Sequence, residues 1–333
     1  MSGDALSHIG PGRVVALCGG VGGAKLALGL YRLLGEDLSV VVNTGDDFEH
    51  LGLAISPDVD TVLYTLSERA DKERGWGREA ESWNFLGALS ELGGETWFQL
   101  GDKDLALHVL RSAALARGES LSDIVASFAQ HFGIKAKILP MSDDPIRTVV
   151  ETPEGNLPFQ RYFVEGRCEE EVIGVRFDGV DTACVSKPVI AALKAPDLRA
   201  IVICPSNPFL SIDPILATPG MQHLIRSAKA PVVAVSPLIG GAAVKGPTAK
   251  IMTELKVPAT VQAIAVHYRG LIDGLVIDQA DAAQREDLEL PCSVSHTLMT
   301  TEEDRVRLAG EVLDFANKLA LEAEAAPPRG AAS

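Results

Sequence analysis

Short apolar runs alternate with segments of helical spacing along most of this chain. The first apolar run, residues 14–18, leads through the glycine-rich loop 19–25 into residues 26–34, where apolar positions recur every three to four residues. A short uninterrupted apolar run indicates a strand that is buried on both faces, and the spacing after it indicates an amphipathic helix. The start of the chain therefore predicts a strand, a tight turn and a helix.

The same alternation continues through the rest of the sequence. Apolar runs predict further buried strands at residues 39–44, 135–139, 200–204, 231–235 and 275–277. Helical spacing predicts helices that begin at Pro57 and that cover residues 79–92, 104–116, 120–132, 187–193, 261–269 and 301–321. Residues 147–178 alternate apolar and polar positions around a turn, which is typical of antiparallel strands.

This order of elements predicts an α/β fold. We expect a three-layer, Rossmann-like, mostly parallel sheet with a helical insertion lobe and a small antiparallel segment. Residues 12–69 and 134–322 would form the nucleotide-binding α/β core and residues 70–133 the mostly helical insertion, with residues 1–11 and 325–333 disordered. Ligands bind such sheets at the carboxyl ends of the strands, so the loops that follow the strands should converge on one site.

The glycine loop after the first strand is a candidate phosphate cradle. Its candidate residues are Gly20, Val21, Gly22, Gly23 and Lys25. Glycines let backbone amides approach an anion closely, and the helix that follows presents its positive end to the same place. A dinucleotide fingerprint has a small residue where Lys25 stands, and the spacing of a P-loop is absent. An ordinary tight turn stays open as the alternative, as does a Lys25 that merely begins the helix facing solvent.

An acidic group follows the second strand. Asp46 and Asp47 end that strand, and Asp58 and Asp60 begin the next helix, where Ser56 is the expected N-cap. Carboxylate oxygens in such a group are suitable ligands for Mg²⁺, which would neutralise a diphosphate. Two alternatives stay open. Asp58 and Asp60 would serve only the helix dipole, or Asp46 or Asp47 would bind a ribose hydroxyl.

Two later loops offer polar groups at the ends of predicted strands. Ser206 and Asn207 have a hydroxyl and an amide that suit a phosphate or a base edge, unless they form only an Asx-type turn. Ser236 and Gly240 belong to a second glycine-rich loop, which is otherwise a flexible surface loop.

A third charged loop precedes a predicted helix. Here Asp102 or Asp104 would cap the helix, or Lys103 would reach a phosphate or a ligand hydroxyl.

Composition narrows the class of protein. The 333 residues carry a net charge of -15, which argues against general nucleic-acid binding. The five cysteines and seven histidines show no zinc or redox spacing, and no apolar run has the length of a membrane span. We expect a cytoplasmic protein without membrane or nucleic-acid partners. Because no nucleophile stands out, the residues point to group transfer by positioning and charge neutralisation.

Seven segments, taken together and in order, resemble the 2-phospho-L-lactate transferase family of deazaflavin coenzyme F420 biosynthesis. They are residues 18–25, 43–47, 56–61, 101–104, 141–145, 204–212 and 235–240. The resemblance covers about residues 13–320. It implies transfer of a phospho-organic-acid group from a guanylylated diphosphate donor to the ribityl hydroxyl of the deazaflavin FO, with release of GMP. The acid is 2-phospholactate, phosphoenolpyruvate or 3-phosphoglycerate, and the sequence does not choose among them.

The resemblance also implies roles for individual residues. Mg²⁺ would be the cofactor, held with the FO hydroxyls by Asp46, Asp47, Asp58 and Asp60, and the protein would be a homodimer. The glycine loop with Ser206 and Asn207 would hold the diphosphate and guanosine. Asp102 and Lys103 would contact FO, and Met141 would line its ring pocket. Our hypothesis gives one of the paired aspartates, Asp46 or Asp47, the task of accepting or orienting the hydroxyl proton.

One departure and two alternatives accompany this resemblance. The family pattern has arginine more often than lysine at position 103. Lys103 would therefore contact FO through a single ammonium group instead of the two-pronged guanidinium of an arginine. One alternative is the related regulatory group of nucleotide-sugar-binding proteins, which shares the glycine-loop start but not segment 141–145. The other is a nicotinamide dehydrogenase, against which Lys25 weighs.

Overall fold

The computed structural model describes residues 11–243 and 246–325. Its strands are β1 (Arg13–Cys18), β2 (Leu38–Val42), β3 (Phe48–His50), β4 (Leu53–Ile55), β5 (Lys137–Pro140), β6 (Arg147–Thr152), β7 (Gly155–Pro158), β8 (Gly174–Asp178), β9 (Leu198–Ile203), β10 (Val232–Val235), β11 (Leu238–Ile239), β12 (Ala242–Ala243), β13 (Gly274–Asp278) and β14 (Cys292–Ser295). Its helices are α1 (Gly20–Leu34), α2 (Pro57–Leu66), α3 (Asn84–Glu91), α4 (Asp102–Ala116), α5 (Leu121–His131), α6 (Lys187–Leu193), α7 (Asp213–Ala217), α8 (Met221–Ser227), α9 (Thr248–Glu254), α10 (Val261–His267) and α11 (Glu302–Ala325).

The main sheet confirms the predicted α/β fold. Within the described residues it has seven strands in the order β14-β13-β10-β9-β1-β2-β5, and each neighbouring pair runs parallel. Chain order runs outward from β1 in one direction through β2 to β5 and in the other from β9 to β14. The sheet therefore has its topological switch point between β1 and β9, which is where such folds bind ligands.

The burial of β1 explains its uninterrupted apolar sequence. Val14, Ala16 and Cys18 pack in one apolar cluster with α1, α2, α5 and α11, whereas Val15 and Leu17 pack in another with α6, α8 and α10. Successive strand residues face opposite sides, so both faces of this strand need apolar side chains. The result is the expected arrangement of three layers.

The two ends of the chain meet in one layer, where α1 crosses α11. A Cβ built on Gly29 of α1 would lie 2.0 Å from the backbone oxygen of Arg305 in α11. The two helices thus approach until their backbones nearly touch, which a larger residue at position 29 would prevent.

Smaller sheets accompany the main one. Strands β7, β6 and β8 form an antiparallel sheet, as predicted for residues 147–178, and two short hairpins, β3–β4 and β11–β12, were not predicted. In the described residues, no helix is both long and apolar enough to cross a membrane.

Several predicted boundaries need correction. The helix predicted over residues 79–92 begins only at Asn84, because Asp102 accepts hydrogen bonds from the amides of Asn84 and Phe85 and so caps its first turn. The last helix reaches Ala325, inside the tail predicted to be disordered. Residues 1–10 and 326–333 lie outside the described residues. Helices α3, α4 and α5 fall within residues 70–133, and the division of the chain into core and insertion stays a prediction.

Candidate active site

A cavity of about 780 Å³ opens at the carboxyl ends of the main-sheet strands, at the switch point between β1 and β9. Of the residues singled out in the sequence, it is lined by Gly20, Val21, Gly22, Lys25, Asp46, Asp58, Asp60, Ser206, Asn207 and Ser236. Gly23, Asp47, Asp102, Lys103, Met141 and Gly240 are not among its lining residues. The structure thus brings together most of the predicted site but not all of it.

The glycines of the first loop allow close packing between two loops of the site. Gly20 has a φ of 64°, in the left-handed region that favours glycine. A Cβ on Gly22 would lie 2.7 Å from the backbone oxygen of Pro205, and one on Gly23 would lie 2.3 Å from the Ser206 hydroxyl. The loop after β9 therefore sits directly against the start of α1, and two of these glycines are required for that contact.

Ser206 joins the two loops. Its hydroxyl donates to the Gly19 carbonyl at 2.7 Å and accepts from the Gly19 amide at 3.2 Å. The side-chain oxygen of Asn207 accepts from the amides of Phe209 and Leu210, which is the Asx-type turn considered as an alternative. Its side-chain nitrogen is buried and, within the described residues, has no hydrogen-bond partner. That nitrogen is available to a ligand of the cavity.

Asp58 caps α1 from a neighbouring helix. Its carboxylate accepts from the Gly20 amide at 2.8 Å and from the Asn43 side chain at 3.0 Å. Burial raises the pKa of Asp58 to about 6, although these two hydrogen bonds lower it. The Gly20 amide is thus engaged by the protein. The amides of Val21 and Gly22 follow in the first helical turn, where an α-helix supplies no internal acceptor.

Asp46 is a buried carboxyl group at the cavity wall. Burial and the nearby charge of Asp58 raise its pKa well above the ordinary value. One of its carboxyl oxygens, Oδ1, is buried and has no hydrogen-bond partner in the part of the chain that the structure describes. An unpartnered buried carboxyl oxygen is costly, and a bound cation would relieve that cost.

Asp47 points elsewhere than Asp46. Its Oδ2 accepts from the Ser56 hydroxyl at 2.7 Å, and burial raises its pKa to about 7. Ser56 does occupy the N-cap position of α2, but its hydroxyl makes no capping bond to that helix. The expected role of Ser56 is therefore corrected: its hydroxyl binds Asp47 instead.

Asp60 belongs to a buried ion pair that the sequence analysis missed. Both of its carboxylate oxygens accept from the guanidinium of Arg111, one of them at 3.1 Å, and Arg111 is fully buried. Arg111 also donates to Nδ1 of His108 at 3.3 Å. The other ring nitrogen of His108, Nε2, lies 3.2 Å from a carboxylate oxygen of Asp104. Tyr64 donates to the same carboxylate.

This network lines the cavity, and it carries one detectable sequence signal. Asp104, His108 and Arg111 lie four and three residues apart on α4, so they occupy one face of the helix. Asp60, Asp104, His108 and Tyr64 all line the cavity. A polar stripe at this spacing is usually a solvated helix face, but here it is largely buried and its Asp104 and His108 lie at the cavity wall.

Aromatic side chains form a further part of the wall, which was also missed. Trp97 and Phe98 line the cavity with their ring centroids 5.7 Å apart, and Arg161 lies over the Trp97 ring at 4.2 Å. Phe159 and Phe163 stack on each other at 5.3 Å and line it too. These rings offer an apolar surface to a planar ligand.

Three residues expected at the FO pocket do not line this cavity. Met141 is fully buried in the apolar cluster on the α6 side of the sheet, because the chain after β5 turns its side chain into the core. Asp102 accepts from Ser82 and from the first residues of α3. The Lys103 ammonium donates to the carbonyl of Glu79 at 3.3 Å. The structure places none of these three at the cavity wall.

Three other predicted residues have protein contacts that define their positions. The Lys25 ammonium donates to the backbone oxygen of Met299 at 2.9 Å, in the loop after β14. The Ser236 hydroxyl accepts from the Leu238 amide, and Gly240 turns with a φ of 60°. Lys25 and Ser236 remain at the cavity wall, whereas Gly240 does not.

The fold and this cavity define an α/β protein with a ligand site at the switch point of its sheet. A sequence model of the family 2-phospho-L-lactate transferase CofD matches residues 14–311. The chain belongs to that family, which confirms the resemblance seen in its motifs, and it is a transferase.

Individual relatives agree with this assignment, and a solved structure agrees with the fold. The chain is 42% identical to a 2-phospho-L-lactate transferase of Methanosarcina mazei over 89% of this chain and 98% of that protein. It is 38% identical to a phosphoenolpyruvate transferase of Kitasatospora aureofaciens over 92% of this chain and 98% of that one. A crystal structure of a UPF0052 family member from Bacillus halodurans has a TM-score of 0.60, 17% identity and coverage of 91% and 99% of the two chains, so it shares the fold.

Proposed function

We propose that this transferase moves a phospho-organic-acid group from a guanylylated diphosphate donor to the ribityl hydroxyl of the deazaflavin FO, releasing GMP in coenzyme F420 biosynthesis. Family membership supports the reaction class, and the cavity supports a donor and an acceptor bound side by side. The observation that carries the proposal is the unpartnered buried oxygen of Asp46, in the same cavity as the first-turn amides of α1. Such a pairing of groups fits a cation and a diphosphate together.

The donor subsite is the region around the glycine loop. Val21, Gly22 and Asn207 line the cavity; the first-turn amides of Val21 and Gly22 have no acceptor within α1, and the side-chain nitrogen of Asn207 has no partner in the described residues. These groups suit the non-bridging oxygens of a diphosphate. Ser206 contributes by holding the two loops together rather than by contacting the ligand itself.

We assign Mg²⁺ chiefly to Asp46 and Asp58. Both carboxyl groups line the cavity and are buried. Burial disfavours their charged form, so a nearby cation would stabilise both carboxylates. Asp60 is already neutralised by Arg111, and Asp47 does not line the cavity, so these two fit the predicted metal role less well. When bound, the ion would neutralise charge on the diphosphate oxygens.

The transfer itself needs alignment more than covalent chemistry. The hydroxyl of FO attacks the phosphorus that bears the organic acid, the phosphorus–oxygen bond to GMP breaks, and GMP takes the electron pair of that bond. Of the paired aspartates, Asp46 is the one at the cavity wall, so we assign to it the orientation of the attacking hydroxyl. We also assign to Asp46 the proton that the hydroxyl gives up as the new bond forms.

The acceptor subsite is the aromatic wall of the cavity. Trp97, Phe98, Phe159 and Phe163 provide flat apolar surfaces for the deazaflavin ring, a role first expected of Met141. Relatives of both acid specificities match over most of the chain, so the acid transferred is left to experiment. The homodimer expected from the resemblance stays a prediction.

Fluorescence titration with FO and assays of GMP release test this function. The protein is incubated with Mg²⁺, FO and each of the three guanylylated phospho-acids, and the acid that supports the fastest GMP release identifies the donor. Asp46→Asn should lower kcat by at least about 100-fold while the protein stays folded. As a matched control, Asp197→Asn alters an exposed carboxylate paired with Arg13 and should leave kcat unchanged.

Two results would refute the proposal. Absence of FO binding would exclude the transfer and would favour the regulatory, nucleotide-sugar-binding alternative. Unchanged turnover by Asp46→Asn would show that the acidic site has been placed wrongly.

A further inference from the structure

Residues 159–168 form one wall of the cavity, and this segment is fixed to the rest of the site. The Gln160 side chain donates to the carbonyl of Asp46 at 3.3 Å. The Cys168 amide donates back to the carbonyl of Tyr162 at 2.9 Å, so the end of the segment folds onto its middle. Arg167 stands just before this closing hydrogen bond and lines the cavity. Its position is therefore set by the same segment that contacts the acidic loop.

The backbone at Arg167 is strained. Arg167 and Cys168 have φ angles of 49° and 58°, which side chains with a Cβ rarely adopt. The neighbouring Gly166, which would adopt such an angle at no steric cost, has a φ of -81° instead. Strain of this kind persists where the surrounding structure imposes it, and it clusters at ligand sites. Here it holds an arginine at the cavity wall.

The guanidinium of Arg167 is uncommitted. The other cations at the cavity wall are engaged by the protein: Lys25 donates to Met299, and Arg74 stacks on Trp83 at 4.7 Å and lies 3.8 Å from Asp71. For Arg167, an exposed residue, the described part of the chain provides no hydrogen bond and no ion pair. Five N–H donors in a rigid fork are thus left to whatever occupies the cavity.

We propose that Arg167 binds the carboxylate of the organic acid in the donor and thereby selects donors that carry such an acid; this inference rests on the proposed transfer reaction. A planar carboxylate matches the guanidinium fork with two parallel hydrogen bonds. The Mg²⁺ assigned to Asp46 and Asp58 would serve the diphosphate, and the other cations at the cavity wall are engaged by the protein. An organic acid without a dedicated cation would therefore be disfavoured here.

The test is a cycle of enzyme and substrate variants. GMP release is measured with the preferred guanylylated phospho-acid and with the same donor carrying a carboxamide in place of the carboxylate. Arg167→Gln should lower kcat/KM for the acid donor on the order of 100-fold, because a charge-assisted pair is lost. For the carboxamide donor the same substitution should change kcat/KM by less than about threefold. Arg176→Gln, which alters an exposed arginine paired with Asp178 on β8, should change neither value.

A second variant separates the guanidinium from the strained backbone. Arg167→Gly relieves the left-handed conformation and removes the side chain, so it should fold well and show the same loss of discrimination. If Arg167→Gly or Arg167→Gln still prefers the acid donor as strongly as the unaltered protein does, the inference is wrong.

Titration with GDP distinguishes the carboxylate from the phosphates. We expect Arg167→Gln to bind GDP as tightly as the unaltered protein, since the glycine loop holds the diphosphate. A GDP affinity that falls as much as kcat/KM would place Arg167 on the phosphates and overturn the inference. Failure of the unaltered protein to release GMP from any donor would instead refute the proposed function, before any Arg167 variant is compared.

Discussion

The buried pair of Arg111 and Asp60 leads to a quantitative prediction about stability. The two side chains are 0% and 6% exposed, and two guanidinium nitrogens of Arg111 donate to the one carboxylate. Arg111→Met removes the cation with little change in length and leaves the carboxylate buried. Breaking such a pair costs about 3–5 kcal/mol. For a domain whose free energy of unfolding is about 5–15 kcal/mol, that is a large fraction of the total.

Removing both charges should cost much less than removing one. Asp60→Asn alone leaves a buried guanidinium without its counter-ion, and we expect it to be about as harmful as Arg111→Met. The double variant leaves no unpaired charge, so its cost should be below about 2 kcal/mol. The double-mutant cycle should then give a coupling of several kcal/mol between the two sites.

The cost of Arg111→Met should also depend on pH. Burial raises the pKa of Asp60, while Arg111 and His108 lower it, so loss of Arg111 raises that pKa further. A carboxyl group whose pKa is higher in the folded state takes up a proton on folding, so its penalty shrinks as the pH falls. The single variant should therefore regain stability between pH 8 and pH 5, and more so than the unaltered protein.

Urea denaturation followed by circular dichroism measures these effects at several pH values. Arg117→Met is the control, because Arg117 and Glu119 form an exposed pair with side chains 64% and 47% exposed, and its loss should cost under about 1 kcal/mol. The reasoning fails if Arg111→Met costs no more than this control, or if the two single variants are additive.

Three further predictions concern packing and the acidic site. Gly29→Ala should destabilise the protein by at least about 1–3 kcal/mol, because its Cβ would lie 2.0 Å from a backbone oxygen of α11. The control Gly87→Ala in α3 meets no atom within 4 Å and should stabilise the protein by up to about 1 kcal/mol. Urea denaturation compares the two variants, and equal effects would contradict the close packing of α1 against α11. Met141→Ala should cost about 2–5 kcal/mol in the same assay while the FO affinity of the folded protein stays unchanged, and a weakened affinity would return Met141 to the ring pocket. Burial raises the pKa of Asp47 to about 7, so its contribution to stability is favourable in acid and is lost as the pH rises through 7. Tm measured in EDTA should therefore fall from pH 5 to pH 8, and Asp47→Asn should reduce that fall; an unchanged fall in the variant would refute this.

Elements with a local cause were predictable from the sequence. The short helix α6 was expected at residues 187–193 and has those bounds, and the run 14–18 gave the buried first strand because both of its faces need apolar side chains. The parallel sheet followed from the alternation of strands with helices. In each case the signal and the structure it produces lie within a few residues of each other.

The role of a residue was harder to predict where that role depends on contacts with distant parts of the chain. Gly23 was assigned to an anion, but the space beside it is filled by Ser206, which is far away in the chain. Met141 and Asp47 adjoin strand ends, and a change of one residue in the direction of the chain decides whether a side chain faces the core or the cavity.

The buried network on α4 shows a different limit of sequence reasoning. Asp104, His108 and Arg111 share one helix face, and a charged face of this kind is usually solvated. Only the packing of α2 against it, with Asp60 and Tyr64, turns the stripe inward. No local pattern contains that information, because it arises from the fold as a whole.

The near contact of Gly29 with the backbone of Arg305 bears on how the protein is made. Strand β1, the glycine loop and α1 are synthesised well before α11, which is the helix that packs against α1. At a translation rate of about 5–20 residues per second, the apolar face of α1 stays uncovered for roughly 15–60 s before α11 is synthesised. During translation that face is exposed and available to a chaperone, and the glycine-loop end of the molecule reaches its final form only when α11 has been added.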